Sequence, residues 1–290
     1  MKAFVSKTGI WLLLLLSRAP MWALFLISDV LYIVIYKLSK YRTAVVRKNL
    51  SLSFPEMNAG ALLKTERAYY RYLSDLVMET VKGFTAGESF FRKRISYTNQ
   101  ALLQDLYERK QSAVVVMGHS GNWEWVCRSA PFYMKNRVVV AYKPLTDKYF
   151  DKLMYDVRTE FGVVQVPMAQ IGRYILTEKE PFLLILLSDQ SPSDLAGCHW
   201  CRFMNQDTAV LTGVEKLALK FNLPIVYGDV KRKERGYYHC HFQYLLEVAK
   251  SRPEPGQITE LHTGFLEQMI REQPETWLWS HKRWKLKRND

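Results

Sequence analysis

Cysteine is scarce: the 290 residues hold four, Cys127, Cys198, Cys201 and Cys240. So few, so widely spread, cannot staple a chain of this length, which excludes a disulfide scaffold and suits a reducing, cytosol-facing environment. Acidic residues are also short, 28 against 41 Lys and Arg, leaving a net charge of +13. A surplus of that size calls for an anionic partner such as nucleic acid, acidic lipid headgroups or a phosphorylated substrate. Zinc-finger spacing, an RNP box and a leucine zipper are all missing, so nothing supports nucleic acid as that partner. No low-complexity tract and no fixed-period repeat is present, which excludes a solenoid. Hydrophobic residues, at 48%, are plentiful enough for a substantial core in one large or two small domains, and the eight Trp and seventeen Tyr suit an amphipathic interface as well as a core.

The apolar residues are concentrated at the start. Ile10 to Leu16 is apolar, Ser17, Arg18, Ala19 and Pro20 interrupt, and Met21 to Tyr36 is apolar again except for Ser28 and Asp29. A cleaved signal peptide is one reading, with Lys2 and Lys7 ahead of a short apolar stretch and Ser17-x-Ala19 as a small-x-small site. Pro20 directly after such a cut, and the second apolar run, favour an uncleaved anchor over residues 1–40, either one span or a kinked, hairpin-like pair. Lys37, Lys40, Arg42, Arg47 and Lys48 follow it, which by the positive-inside rule places residues 41–290 in the cytoplasm.

Beyond the anchor, strand and helix patterns alternate. Glu56 to Phe84 carries a broad helical stripe. "SAVVVMG" (112–118), "RVVVAYKP" (137–144), "VVQVP" (163–167) and "PFLLILLSDQ" (181–190) read as strands, with "LPIVYGDVKR" and "YYHCHFQYLLEV" as two more. Helical patterns lie between them, at 125–134, 147–162, 171–178, 212–221 and, last, 258–272. The order predicts an α/β domain with a mostly parallel central sheet flanked by helices, its site beyond the carboxyl ends of the strands, where His119, Pro144 and Asp189 fall.

One such strand delivers the histidine. In "VVVMGHSGNWEWVCR" the buried-looking run meets a glycine-flanked turn holding His119, and Glu124 follows. On one helix the two side chains would point about 140° apart. They converge only if His119 lies in the turn, which Gly118 and Gly121 ease, and Glu124 in the first helical turn behind an Asn122 cap. Glu124 accepting from one imidazole nitrogen would leave the other as a general base. The alternative is a turn histidine satisfied by backbone, with an exposed capping glutamate. A serine-nucleophile site at Ser120 would need a G-x-S-x-G motif that the chain lacks. Cys198, Cys201 and His239 suggest zinc, but the spacing fits no zinc module and "YYHCHF" reads as an ordinary alternating strand. No metal and no cofactor is expected.

"GHSGNWEW" resembles the H-x4-[D/E] block of the lysophospholipid acyltransferase superfamily, in the H-x-G-N-W-E form of the bacterial lipid A biosynthesis acyltransferases. "RTAVVRKNLSLSFPE" (42–56), "AYKP" (141–144), "LLSDQSPSD" (186–194) with "WCRFMNQDTAVLTG" (200–213), and "PETWLWSHKRWK" (274–285) resemble that family's further blocks in the same order. The resemblance implies transfer of a fatty acyl chain from an acyl carrier protein thioester to a hydroxyl of an underacylated lipid A precursor, at the cytoplasmic face of the inner membrane. It makes His119 the base and Glu124 its orienting acid. It adds Arg158 and Asp189 as substrate-contacting positions, with Lys143 where the family's Y-R-P has arginine; Asn122 is grouped with them. Lysine there forgoes bidentate phosphate recognition. Trp277 and Trp279 either line an acyl groove or belong to the core. The basic stretch "SHKRWKLKR" (280–288) either meets phosphates, anionic lipid or the acidic carrier protein, or is a solvated tail. Two other functions remain open at this stage: an O-acyltransferase acting on a lysophospholipid or amino-acid lipid, and a non-catalytic membrane protein that binds anionic lipid.

Overall fold

The computed structural model describes residues 7–251 and 253–288, so Lys2 of the signal-peptide reading lies outside the described residues. Two apolar helices, α1 (Lys7–Ser17) and α2 (Met21–Tyr32), are separated by the break at Pro20, and α2 runs on through a π-helical turn, Ile33–Leu38. Met21–Leu38 is long and apolar enough to cross a membrane. It does not stand apart from the rest of the chain. After α3 (Thr43–Ser53), the long α4 (Ala59–Gly83), capped by the Asn58 side chain, packs along α2.

Strands and helices then alternate: α5 (Glu88–Arg94), β1 (Ile95–Thr98), α6 (Gln100–Glu108), β2 (Ala113–Met117), α7 (Trp123–Ser129), β3 (Arg137–Tyr142), α8 (Lys148–Thr159), β4 (Val164–Pro167), α9 (Ile171–Thr177), β5 (Phe182–Leu187), β6 (Cys198–Phe203), β7 (Gln206–Leu211), α10 (Gly213–Phe221), β8 (Ile225–Glu234), β9 (Tyr237–Leu246), the short α11 (Val248–Ser251) and α12 (Gln257–Glu272). Seven strands form one sheet in the order β1-β9-β8-β2-β5-β3-β4. Every pairing is parallel except β8 with β9. The expected α/β class with a mostly parallel sheet is what the structure shows. All five residues of β2 are buried, as a central parallel strand covered on both faces requires. Val115 and Met117 face the apolar layer built with α2, α4 and α7, whereas Val114 and Val116 face the layer built with α3, α10, α12 and the C-terminal tryptophans.

The helical stripe at 56–84 and the strands at 112–118, 137–144, 163–167 and 181–190 appear within a few residues of their expected bounds. β1 and the β6–β7 hairpin were not expected. β1 is four residues long, and its partner β9 lies far ahead in the chain.

Candidate active site

β2 and β5 are neighbours in parallel register, Met117 opposite Leu187, so both chains leave the sheet at the same end. That register brings His119 and Asp189 together from opposite ends of a 70-residue separation. Asp189 Oδ2 accepts from the His119 backbone N–H at 2.9 Å, and Asp189 Oδ1 lies 2.5 Å from the imidazole Nδ1. The Trp277 indole N–H donates to Oδ2 at 2.8 Å and completes the cradle. Gly118 leaves room for Leu266, whose Cδ1 would lie 2.5 Å from a Cβ at that position and would have to shift. Gly121 adopts φ +55°, a left-handed conformation that strains other residues, and a Cβ there would meet Val230 at 2.7 Å.

This geometry sets the tautomer. An ionised carboxylate only accepts, so Nδ1 carries the proton and Nε2 presents a lone pair. The Gln190 amide nitrogen sits 3.2 Å from Nε2, as a donor would. Burial alone would raise the Asp189 pKa, but the His119 imidazole, the backbone N–H and the Trp277 indole outweigh it and hold the carboxyl at about 2. Burial alone would lower the His119 pKa, but the charge and hydrogen bond of Asp189 reverse the sign, with a smaller upward contribution from the Glu124 charge.

At three residues the geometry differs from the expectation. Glu124 does not hold the imidazole. It lies in the first turn of α7, as the spacing required, but its carboxylate is gripped by the Arg158 guanidinium from the last turn of α8, through Nε at 2.9 Å and through Nη2. A planar guanidinium matches both oxygens of a carboxylate and outcompetes a single ring nitrogen. Asp189, expected to contact substrate, is buried and is the carboxylate that orients His119. Asn122 is corrected as well: it is fully buried, its amide oxygen caps α7 by accepting from Trp125 N, and its amide nitrogen donates to Glu79. Both ends are taken up by the protein, so Asn122 shapes the turn and is not part of the cleft lining. Ser120 is likewise buried, bridged to Trp277 and absent from the cleft wall, which removes the serine-nucleophile reading.

The cleft beside His119 holds about 420 Å³, within the ~300–1,000 Å³ usual for small-ligand sites. Its lining includes the polar His119, Glu124, Arg158 and Lys143 and the apolar Trp123, Val140, Val163, Leu187 and Leu278. Lys143 is exposed at the rim. Cys127 also lines the cleft, but burial pushes its thiol up to about 12, far from a nucleophilic thiolate. Trp277 and Trp279 are buried edge-to-face at 4.7 Å and belong to the core, while Leu278 between them faces the cleft. Sequence reasoning missed Trp277 as a ligand of Asp189, and the signal for it was the Trp-rich closing block.

The cysteines and histidines do not form a metal centre. Cys198 and Cys201 lie on β6 of the small sheet, and the ring nitrogens of His239 on β9 meet Ser96 and Thr98. Among the described residues no group of three His, Cys, Asp or Glu side chains is placed to hold an ion. In the closing block, His281 Nε2 accepts from Ser191 N and Arg283 is buried, its guanidinium donating to Ala209 O. Lys282, Lys285 and Lys287 join Lys48 around a shallow hollow of about 200 Å³.

A carboxylate-paired histidine thus stands at the carboxyl end of a parallel sheet, on a cleft of mixed polar and apolar lining, an arrangement suited to general-base chemistry on a hydroxyl or water. The chain belongs to the bacterial lipid A biosynthesis acyltransferase family, whose profile matches residues 2–286. It is accordingly an acyltransferase family member, and membership implies an acyl donor and a lipid acceptor. No curated protein matches the chain as a relative.

Replacing Glu124 by Gln separates the two carboxylates. The charge-assisted pair with Arg158 is lost from a site where both side chains are about three-quarters buried or more, so stability should fall by about 1–2 kcal/mol in denaturant unfolding. The acid limb of the pH–rate profile should move down by less than an Asp189 substitution moves it, because Asp189 is the nearer and stronger influence on His119. A larger shift from Glu124→Gln would return the orienting role to Glu124.

Proposed function

We propose that the protein transfers a fatty acyl chain from an acyl carrier protein thioester to a free hydroxyl of an underacylated lipid A precursor, at the cytoplasmic face of the inner membrane. The observation that carries this reading is the Asp189–His119 pair on a cleft lined by both polar and apolar side chains, in which the neutral imidazole has Nε2 free of the carboxylate. In the reaction, His119 Nε2 takes the proton of the acceptor hydroxyl as its oxygen attacks the thioester carbonyl carbon. The tetrahedral oxyanion collapses, the C–S bond breaks, the new C–O ester bond remains, and the imidazolium returns its proton to the departing thiolate. Asp189 stays ionised and stabilises the imidazolium between these steps. The apolar residues of the lining suit the acyl chain. Lys143 at the rim is a point charge suited to a phosphate or to an acidic carrier protein, and no metal or cofactor enters the scheme.

The test reads lipid masses. Membranes carrying the protein are incubated with acyl carrier protein thioesters and a tetra-acylated lipid A precursor, beside membranes lacking it. One added acyl chain is expected only where the protein is present. Transfer onto a lysophospholipid or an amino-acid lipid in its place would move the acceptor to another branch, and no transfer to any of them would overturn the proposal.

A further inference from the structure

We propose that α1 and α2 with its π-helical extension lie flat in one leaflet of the membrane, the α2 stripe dipping into it and the catalytic domain resting on the same surface, without crossing the bilayer. Three independent observations carry this. The first is what α2 packs against. From one end to the other the apolar segment is docked on α4, antiparallel to it. Lys82 donates to the carbonyls of Ser17 and Ala19, the Ser28 hydroxyl donates to Asp75 at 2.6 Å, the Arg71 guanidinium lies over the Tyr32 ring, and Tyr36 stacks on Tyr70 at 4.8 Å. An adjoining face of α4 holds the catalytic turn: Tyr72 donates to Gly121 O and Glu79 accepts from Asn122. A helix crossing the bilayer would carry α4 with it, charges included, and would set the His119 turn one helix layer away at hydrocarbon depth.

The second observation is Asp29. It stands midway along Met21–Leu38, paired with Arg235 at 2.7 Å, yet its side chain is 60% exposed. In a spanning helix that carboxylate would face hydrocarbon near the bilayer centre. In a helix lying in the membrane plane it stays at headgroup level beside its arginine.

The third is the pattern of exposure. Trp22, Leu26, Val30, Val34 and Leu38 recur every fourth residue and form one exposed apolar stripe, continued on α1 by Trp11 and Leu15, while Leu24 and Ser28 on the opposite face are buried against α4. Arg18 lies exposed at the α1–α2 junction, at one end of the α2 part of the stripe, and Lys37 and Lys40 at the other end of that part. Cations at both ends suit a helix whose two ends meet the same layer of anionic headgroups, and such a helix dips about 5–10 Å into the interface.

Impermeant maleimide labelling of the full chain in sealed inner-membrane vesicles and in spheroplasts decides between the two arrangements. With the partly exposed Cys198 and Cys201 changed to Ser, a single thiol is introduced by Arg18→Cys at the α1–α2 junction or, as the reference, by Lys179→Cys on the catalytic domain. Both thiols are expected to react from the same side of the membrane and to be protected from the other. Reaction of Arg18→Cys only from the opposite side would establish a span and overturn the proposal. Reaction only after detergent would bury the junction in hydrocarbon and overturn it too. An Arg18→Ser chain that keeps the Lys179→Cys label controls for folding, and because labelling reads position alone, its outcome is separate from the acceptor's identity.

Discussion

Asp189→Asn is expected to lower kcat by about 10³-fold and to move the acid limb of the pH–rate profile downward. The amide can be placed in two ways. With its NH2 group where Oδ2 was, it confronts two donors, the His119 backbone N–H and the Trp277 indole. With NH2 where Oδ1 was, it confronts only Nδ1–H, and the imidazole can relieve that clash by moving its proton to Nε2. The second arrangement leaves fewer donors unpaired, so it wins, and it puts the proton on the nitrogen that should be the base. The backbone cradle survives while the chemistry is lost. The pH dependence follows in sign. In the wild type, Asp189 holds the His119 pKa above its ordinary value, and the base works only when deprotonated, so activity is gained as pH rises through that elevated pKa. Without the carboxylate charge, burial dominates and favours the neutral ring, so what activity remains persists to lower pH. His119→Ala sets the floor, with no acid limb in this range. A Asp189→Asn enzyme within tenfold of wild type, with an unmoved limb, would remove Asp189 from the orienting role.

That assignment could not be read from one stretch of sequence. His119 was legible, because a β-branched run ending at Gly118 delivers it to a turn, and the first-turn place of Glu124 followed from helical geometry. Which carboxylate meets the imidazole depends on strand order. β2 and β5 are adjacent although β3, α8, β4 and α9 lie between them in the chain, and only that adjacency sets Asp189 beside His119. The Arg158–Glu124 pair has the same origin, since α7 and α8 meet through the sheet. The alternating strands were legible because their periods are local. β1 was not, being four residues long, nor was the β6–β7 hairpin, whose turn at Met204 and Asn205 uses two non-glycine residues at positive φ and carries no glycine signal. Asp29, an anomaly within an apolar run, acquired its reason from Arg235, some 200 residues away.

Asp75→Ala is expected to destabilise the protein by about 3 kcal/mol, the lower end of the cost of breaking a buried pair, and to lower Tm by about 5 °C for a chain of this size. Asp75 is buried, and its two oxygens accept from Ser28 at 2.6 Å, from Arg232 at 2.6 Å and from Arg235 at 2.6 and 2.9 Å. Removing the carboxylate leaves Arg232, mostly buried, beside the ring of Tyr72, with Tyr238 and Glu79 as the remaining influences on its charge. Arg235 keeps Asp29 and is partly solvated, which is why the lower end of the range applies. Asp29→Ala makes the contrast: its pair is largely exposed and should cost less than about 1 kcal/mol. Thermal unfolding of the two variants in the same lipid measures the difference, and a Tm for Asp75→Ala within about 2 °C of wild type would show that the network is not what fastens α2 to α4. A large loss would have a functional corollary. The helix that carries Asp75 toward the apolar segment also carries Tyr72 and Glu79 toward Gly121 and Asn122. Loosening one face of α4 should therefore reach the turn that holds His119, so the lipid-facing helix and the catalytic histidine are braced through a single element.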